Sequence, residues 1–490
     1  MKKKLILSCL MICFVLLFFS CDNGSSGSKS SEPLIFTGAD IDGKSIRIEI
    51  TRPGSRSVIT PQANDLFRIL VNSQVVSSGT IMVNGDNLTF NPNSGFVFGG
   101  EIVEENLFIS VVHGHSVGIM ARTGSAGSSN NFTATAANFN SIIESIKNTP
   151  GEYVINLTED VPSFPHNYIS AGVKLTIKGN GKTVTNDWSV NEGVLFDVFG
   201  GCLILENITF SGGGLFVYNG IIAIRDGVKI IGDGVEGGVC IKGGAFIMTG
   251  GEITNCHNGL TVDGDRTSLV ITGGKISGTS DAIMFSGNDA FLWITGGNII
   301  NNYVGIYMEG SDNNVVISGG NIDYNSIFGI NIGGSRNVTT ITGGSISNNG
   351  AQDGAGIITG GDSTNGRVII TGGNIANNYG DGVGFHCPGP SFFTMTGGTI
   401  RGNEKRGLYL RGPNSSIEKT GGIIYGNNSG SNSNEDGAIE IDMADNGELY
   451  VLLKSDAVAS VHYKATINAA GTDLVPGFLP ATGSWVRTDD

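Results

Sequence analysis

A six-residue motif, Met248-Thr249-Gly250-Gly251-Glu252-Ile253, returns as Ile271-Thr272-Gly273-Gly274-Lys275-Ile276 and then as Ile294-Thr295-Gly296-Gly297-Asn298-Ile299. The glycine pair recurs at Gly319-Gly320, Gly343-Gly344, Gly372-Gly373, Gly397-Gly398 and Gly421-Gly422. Successive pairs lie 23 or 24 residues apart, with two longer steps of 29 and 25. A fixed period of this size signals a solenoid, because one such unit buries its apolar face only against the units before and after it.

The copy that starts at Phe291 shows what one unit contains. Leu292 and Ile294 alternate with Trp293 and Thr295, as in a half-buried strand. Gly296-Gly297 then permits a backbone turn that a β-carbon would obstruct. Ile299 points inward again, Asn301-Asn302 makes a second corner, and Val304 to Met308 reads as another short strand. Glu309 to Asn314 is a polar loop. About three strands and three turns per unit make one coil of a parallel β-helix, with coils ~4.8 Å apart. About 12 coils give a rod roughly 60 Å long at that spacing.

The inward rows can be read down the copies. After each glycine pair come Ile253, Ile276, Ile299, Ile322, Ile346, Ile375, Ile400 and Ile424. Three residues further on stand Cys256, Thr279, Asn302, Asn325, Asn349, Asn378, Asn403 and Asn427. Stacked asparagines let side-chain amides bond from coil to coil, so this row is read as structural. The glycine pairs are not phosphate loops, since those require a helix to follow and this pattern supplies strands. Lys178-Gly179-Asn180-Gly181-Lys182-Thr183 fails as a nucleotide loop for the same reason.

The rest of the chain divides around this array. Lys2-Lys3-Lys4 and the apolar run Leu5 to Phe19 read as an export signal, too short for a comfortable membrane span. The stretch resembles a bacterial lipoprotein signal, which implies cleavage after residue 20 and lipidation of Cys21, although Phe18 and Phe19 depart from the usual pattern. The expected division is a signal over 1–21, a flexible tether over 22–32 and a small β-sandwich-like domain of six or seven strands over 33–118. A linker over 119–132 follows, then the β-helix over 133–445 and a C-terminal cap over 446–490. Asn138 to Asn148 is the clearest helix, with Phe139, Ile142, Ile143 and Ile146 on one face and Ser141 and Glu144 at capping-box spacing. A helix here closes the open end of the solenoid.

Composition narrows function. The chain has 490 residues with a net charge of -15, which disfavours nucleic acid and other polyanions as partners. Cys202, Cys240, Cys256 and Cys387 are scattered as small buried hydrophobes, in neither a disulfide framework nor a zinc spacing. His113 and His115 lack a nearby carboxylate or cysteine, so no metal set is assigned and no cofactor is called for.

The Gly-Gly-x-Ile coils and the preceding helix resemble the pectate-lyase-like superfamily over about 132–467, and the Thr-Gly-Gly repeats are similar to those of spirochaete surface lipoproteins. The resemblance implies a right-handed β-helix. It also implies either polysaccharide cleavage, by paired carboxylates or by calcium with a basic residue, or an inactive surface protein. Catalysis on such a fold needs outward side chains on neighbouring coils. One outward row reads Thr261, Met284, Tyr307, Asn331, Ile358, Gly384, Tyr409, Glu440, and it carries a single carboxylate. Glycoside hydrolysis requires two within roughly 5–9 Å. The next row reads Asp263, Ser286, Glu309, Gly333, Gly360, His386, Arg411, Asp442. His386, Arg411 and Asp442 on successive coils are the candidate catalytic set, and Tyr307 and Tyr409 are the candidate sugar-stacking residues. The balance favours a monomeric, lipid-anchored protein of the cell envelope, outer membrane or cell surface that binds a surface ligand or polysaccharide without cleaving it. A polysaccharide lyase or glycoside hydrolase, and a purely structural envelope protein, are the alternatives.

Overall fold

The computed structural model describes two units, 1–128 and 129–490, each treated by itself. The residues it describes are 34–39, 45–52, 65–71, 74–84, 87–92, 98–103, 106–111 and 115–122 in the first unit. In the second they are 130–187, 193–232, 234, 238–350, 354–361, 363–387, 389–410, 415–419, 421–425, 427, 439–441, 447–453, 461–467, 472–474 and 485–487. The signal, the tether and Cys21 lie outside them.

The first unit is a single antiparallel meander of eight strands, running from Leu34–Ala39 to His115–Arg122. Its first and last strands pair, Phe36 with Arg122 and Thr37 with Ala121, so the sheet closes on itself. The described strands number eight, where six or seven were expected. The alternating apolar residues Ile102, Leu107, Ile109 and Val111 belong to two strands, Phe98–Val103 and Asn106–Val111, with Val103 opposite Asn106. The sequence between them, Glu104-Glu105, carries none of the glycine or proline that marks a turn. Alternation survives in the second strand: Ile48 and Ile50 are buried, while Glu49 lies directly opposite Arg68 and ion-pairs with it.

The second unit is a parallel β-helix. In the coil beginning at Phe291 the strands are Phe291–Ile294, Asn298–Ile300 and Val304–Met308. Each pairs in parallel with its counterpart one coil later, at Asn314–Ile317, Asn321–Asp323 and Phe328–Ile332. Three sheets therefore run along the rod. The third has thirteen strands, the last antiparallel, so twelve parallel strands define eleven coil steps. Ile253 through Ile424 all point into one continuous apolar core.

The two glycines of each pair answer to different constraints. A β-carbon on Gly296 would lie 2.3 Å from the carbonyl oxygen of Thr272 on the previous coil. Gly297 has φ +87°, in the left-handed region that side chains resist. The same division holds at Gly319 and Gly320 and at Gly372 and Gly373.

The asparagine row is a buried ladder. Each Nδ2 donates to the Oδ1 of the asparagine on the next coil, at 3.0 Å from Asn302 to Asn325, 2.9 Å to Asn349, 3.0 Å to Asn378, 2.8 Å to Asn403 and 2.7 Å to Asn427. The backbone N–H of each donates to the same oxygen, and Thr279 joins through its hydroxyl at 2.8 Å from Asn302 Oδ1. Buried amides so satisfied cost nothing in desolvation and fix the corner. A second ladder at another corner was not foreseen. Ala290 N–H donates to Asn313 Oδ1 at 2.9 Å, and Asn313 N–H to Asn337 Oδ1 at 2.8 Å.

Both ends depart from the regular coil. Asn130–Ala134, which straddles the expected boundary between linker and β-helix, pairs in parallel with Gly151–Leu157 and so begins the solenoid. The helix spans Phe139–Ile146 and buries Phe139, Ile143 and Ile146 against the core. Ser141 lies within it and bonds the Asn138 carbonyl at 2.9 Å, so the capping box does not form. Gly447–Leu453, expected in the cap, pairs in parallel with Ser416–Lys419 as one more coil strand. Val461–Ile467 and Trp485–Arg487 then pair antiparallel and end that sheet, as an exposed edge requires.

Candidate functional site

Side chains that alternate outward from the third sheet form the face on which the candidate residues fall. Register places Gly384 beside Tyr409 and Tyr409 beside Glu440. The row continues upstream through Met284, Thr261 and Cys240 to Phe216, Asp197 and Tyr168.

At the C-terminal end His386 meets other partners than those expected; Arg411 and Asp442 lie outside the described residues. His386 Nε2 is 2.9 Å from Asp381 Oδ2. Arg406, one coil on, donates from Nε to Asp381 Oδ1 at 2.7 Å and from Nη2 to Oδ2 at 3.0 Å. Gly384 makes this geometry possible, since a β-carbon there would stand 2.7 Å from His386 Nε2. Burial opposes ionisation of Asp381, but hydrogen bonds from His386 and Arg406 outweigh it and hold the carboxyl below its ordinary value. An anion held this way is no proton donor. The Arg406 guanidinium also lies 3.8 Å over the Tyr409 ring, and the His386 ring is 4.5 Å from it.

Tyr409 is therefore only 6% exposed, and the expected stacking surface at this position is corrected: Arg406 already covers the ring. Tyr307 is half-buried. Burial, then the charges of Glu309 and Asp281, raise its hydroxyl above the ordinary value and keep it a neutral hydrogen-bonding group.

The open aromatic surface lies at the other end of the face. Phe199 is 43% exposed and stacks on Tyr218 with centroids 4.8 Å apart and planes 21° apart. Tyr168 meets Phe199 edge-on at 6.0 Å, and Lys147 lies 4.4 Å over the Tyr168 ring. Asp197, buried beside them, is 2.9 Å from His166 Nε2. Desolvation raises its pKa against the opposing pull of His166 and Lys242. Burial pushes the Cys240 thiol up to about 11, which removes it as a nucleophile at neutral pH. These residues sit before the regular array, so the glycine pairs gave no register for reading them. The local signal was Leu195-Phe196-Asp197-Val198-Phe199, where alternation puts Asp197 and Phe199 together on the outer side.

Asp197 and Asp381 are the best-buried carboxylates of this face, and eight coil steps separate them. That is about 38 Å at ~4.8 Å per step, too far for these two to act as a pair. Nearer the middle of the face, burial raises the Asp281 carboxyl against the pull of His257, and the charge of Glu309 raises it further. The face can stack apolar rings and exchange hydrogen bonds. No protein-family model matches the chain, and a comparison with curated proteins finds no significant match.

Proposed function

We propose that this protein is exported, anchored to a membrane of the cell envelope through a lipid on Cys21, and binds carbohydrate at the surface without cleaving it. The observation that carries the reading is the exposed Phe199 ring stacked on the half-buried Tyr218, flanked by Tyr168 and by the polar groups of His166, Asp197 and Lys242. Stacked aromatics beside hydrogen-bonding groups suit the two faces of a sugar ring. The lipoprotein-like stretch ending at Cys21 supports the anchor, and a membrane lipid is then its first partner.

The test is retention on insoluble polysaccharides by the protein from Asp22 onward, with release of soluble oligosaccharides followed in parallel, with and without calcium. Retention without release is expected, and Phe199→Ala with Tyr218→Ala should weaken it about tenfold. Release would establish the enzymatic alternative. Mass spectrometry of the processed N-terminus checks the anchor, and an unmodified Cys21 would remove it.

The His386–Asp381 pair keeps the enzymatic reading specific. A buried carboxylate orients an imidazole on the outer face, as a general base requires. If oligosaccharides are released and His386→Ala does not slow their release, this pair has no part in it.

A further inference from the structure

The corner between the second and third sheets carries three tyrosines that no candidate set included. Tyr303, Tyr324 and Tyr379 are 54%, 61% and 46% exposed. Tyr303 and Tyr379 directly follow the ladder residues Asn302 and Asn378, and Tyr324 directly precedes Asn325. The ladder therefore places all three within three coil steps, roughly 14 Å at ~4.8 Å per step.

Tyr324 occupies this corner against local preference. The residue before the ladder position has positive φ in every described coil from Asn255 to Gly402. That residue is asparagine at 255, 301, 348 and 377 and glycine at 278 and 402, the types that tolerate this conformation. Tyr324 adopts it at φ 55°. Arg266 and Arg336 adopt the same conformation at another corner, so the strain at Tyr324 is tolerated by the fold, and what sets Tyr324 apart is its exposed ring at this corner.

The surface beside the corner changes character over the same coils. Along one outward row of the second sheet, the Glu252–Lys275 ion pair gives way to Asn298, Asn321, Ser345 and Asn374 in register. Asn321 Nδ2 donates to Asn298 Oδ1 at 2.9 Å. The companion row runs Ile300, Asp323, Ser347, Ala376 and then Arg401, with Ser347 and Ala376 buried, so the open polar surface is the row of Asn298, Asn321, Ser345 and Asn374. Its one acid, Asp323, is half-buried and turned to the Ser347 backbone N–H at 3.0 Å. Amides and hydroxyls beside exposed aromatic rings, with the cations only at the two ends, suit a ligand of many hydroxyls and no charge.

We propose that the tyrosine corner and the adjoining amide row form a second binding edge for a neutral polysaccharide laid along the rod. The inference rests on the carbohydrate reading above and names both a separate site and the ligand class. A protein partner would leave the amide row without a stated role, and an anionic glycan would meet the protein's net charge of -15.

The probes are insoluble cellulose, chitin and xylan as neutral glycans, with polygalacturonate and alginate as anionic ones. Tyr303→Ala with Tyr379→Ala should weaken binding to the neutral glycans about tenfold. Tyr324→Asn restores the residue type used by neighbouring coils, so it should weaken binding while leaving the thermal midpoint equal or higher. That combination separates a binding role from a structural one. If the unsubstituted protein binds no glycan, both the carbohydrate reading and this inference fall. If the Phe199 and Tyr218 variants lose binding while the three corner variants bind normally, only this inference falls. Preference for the anionic glycans would overturn the ligand class.

Discussion

Nδ2 of Asn349 donates to Oδ1 of Asn378 at 3.0 Å although 29 residues separate them, where the other asparagine steps are 23 to 25 residues long. The longer coil leaves the ladder register unbroken. Asn349 also donates to the Ile322 carbonyl at 2.9 Å and accepts from the Asn325 backbone N–H and Nδ2. Asn349→Ala should therefore cost about 2–3 kcal/mol, because it strands buried groups on both neighbouring coils. Asn349→Asp should be worse at neutral pH than in acid, since a carboxylate cannot donate to Ile322 or Asn378. Denaturant unfolding followed by circular dichroism at both pH values checks the order.

The glycine pairs predict a contrast. Gly296→Ala would press a β-carbon against the Thr272 carbonyl, a backbone atom that cannot swing away, and should cost about 3 kcal/mol or more. Gly181 has φ +79° but open space around it. Gly181→Ala should cost about 1–2 kcal/mol, the left-handed penalty alone. Equal thermal shifts for the two variants would contradict this assignment.

Asp381 makes the protein sensitive to acid. Its folded-state pKa is depressed, so its contribution is fully present above the ordinary carboxylate pKa and is lost as pH falls through the folded value. At pH 7 Asp381→Asn should cost about 3 kcal/mol, since it leaves Arg406 poorly paired near the surface of the core. The difference from the parent protein should shrink as pH falls below the ordinary carboxylate range. A pH series of thermal midpoints for the two proteins reads it directly.

Asp323 predicts the opposite sign. Burial raises its pKa, partly offset by the Ser347 N–H, so the folded state is penalised whenever this group is ionised. Asp323→Asn keeps an acceptor for Ser347 and removes the charge. It should raise the thermal midpoint at pH 7, and the gain should shrink as pH falls through the raised folded pKa and vanish below the ordinary carboxylate value, where the aspartic acid is neutral in both states.

Residues that repeat one role in every coil were legible in the sequence. Ile253 to Ile424 and Asn302 to Asn427 each keep their spacing to the glycine pair, so periodicity alone placed them in the core and at the corner. Rows whose residue type drifts were not. The second ladder passes from Asn313 and Asn337 to Ser363, whose hydroxyl donates to the Gly334 carbonyl at 3.0 Å, and no single letter recurs to reveal it. The candidate site failed for a related reason. Asp381 sits in Gly380-Asp381-Gly382, a composition that signals a turn, yet its partner Arg406 is 25 residues away, across one coil. Tyr409 stood in the outward row as expected, but an outward register does not reveal the neighbouring guanidinium that covers it.

The amide ladder has a consequence for how such a chain changes over generations. From Asn302 to Asn427 each amide rung meets another amide rung, so a whole unit added or deleted between them rebuilds the same bond across the seam. Length can then vary in whole increments of ~4.8 Å while the cross-section stays constant. The reach of this rod is a heritable quantity that recombination between its own repeats can adjust without a new fold.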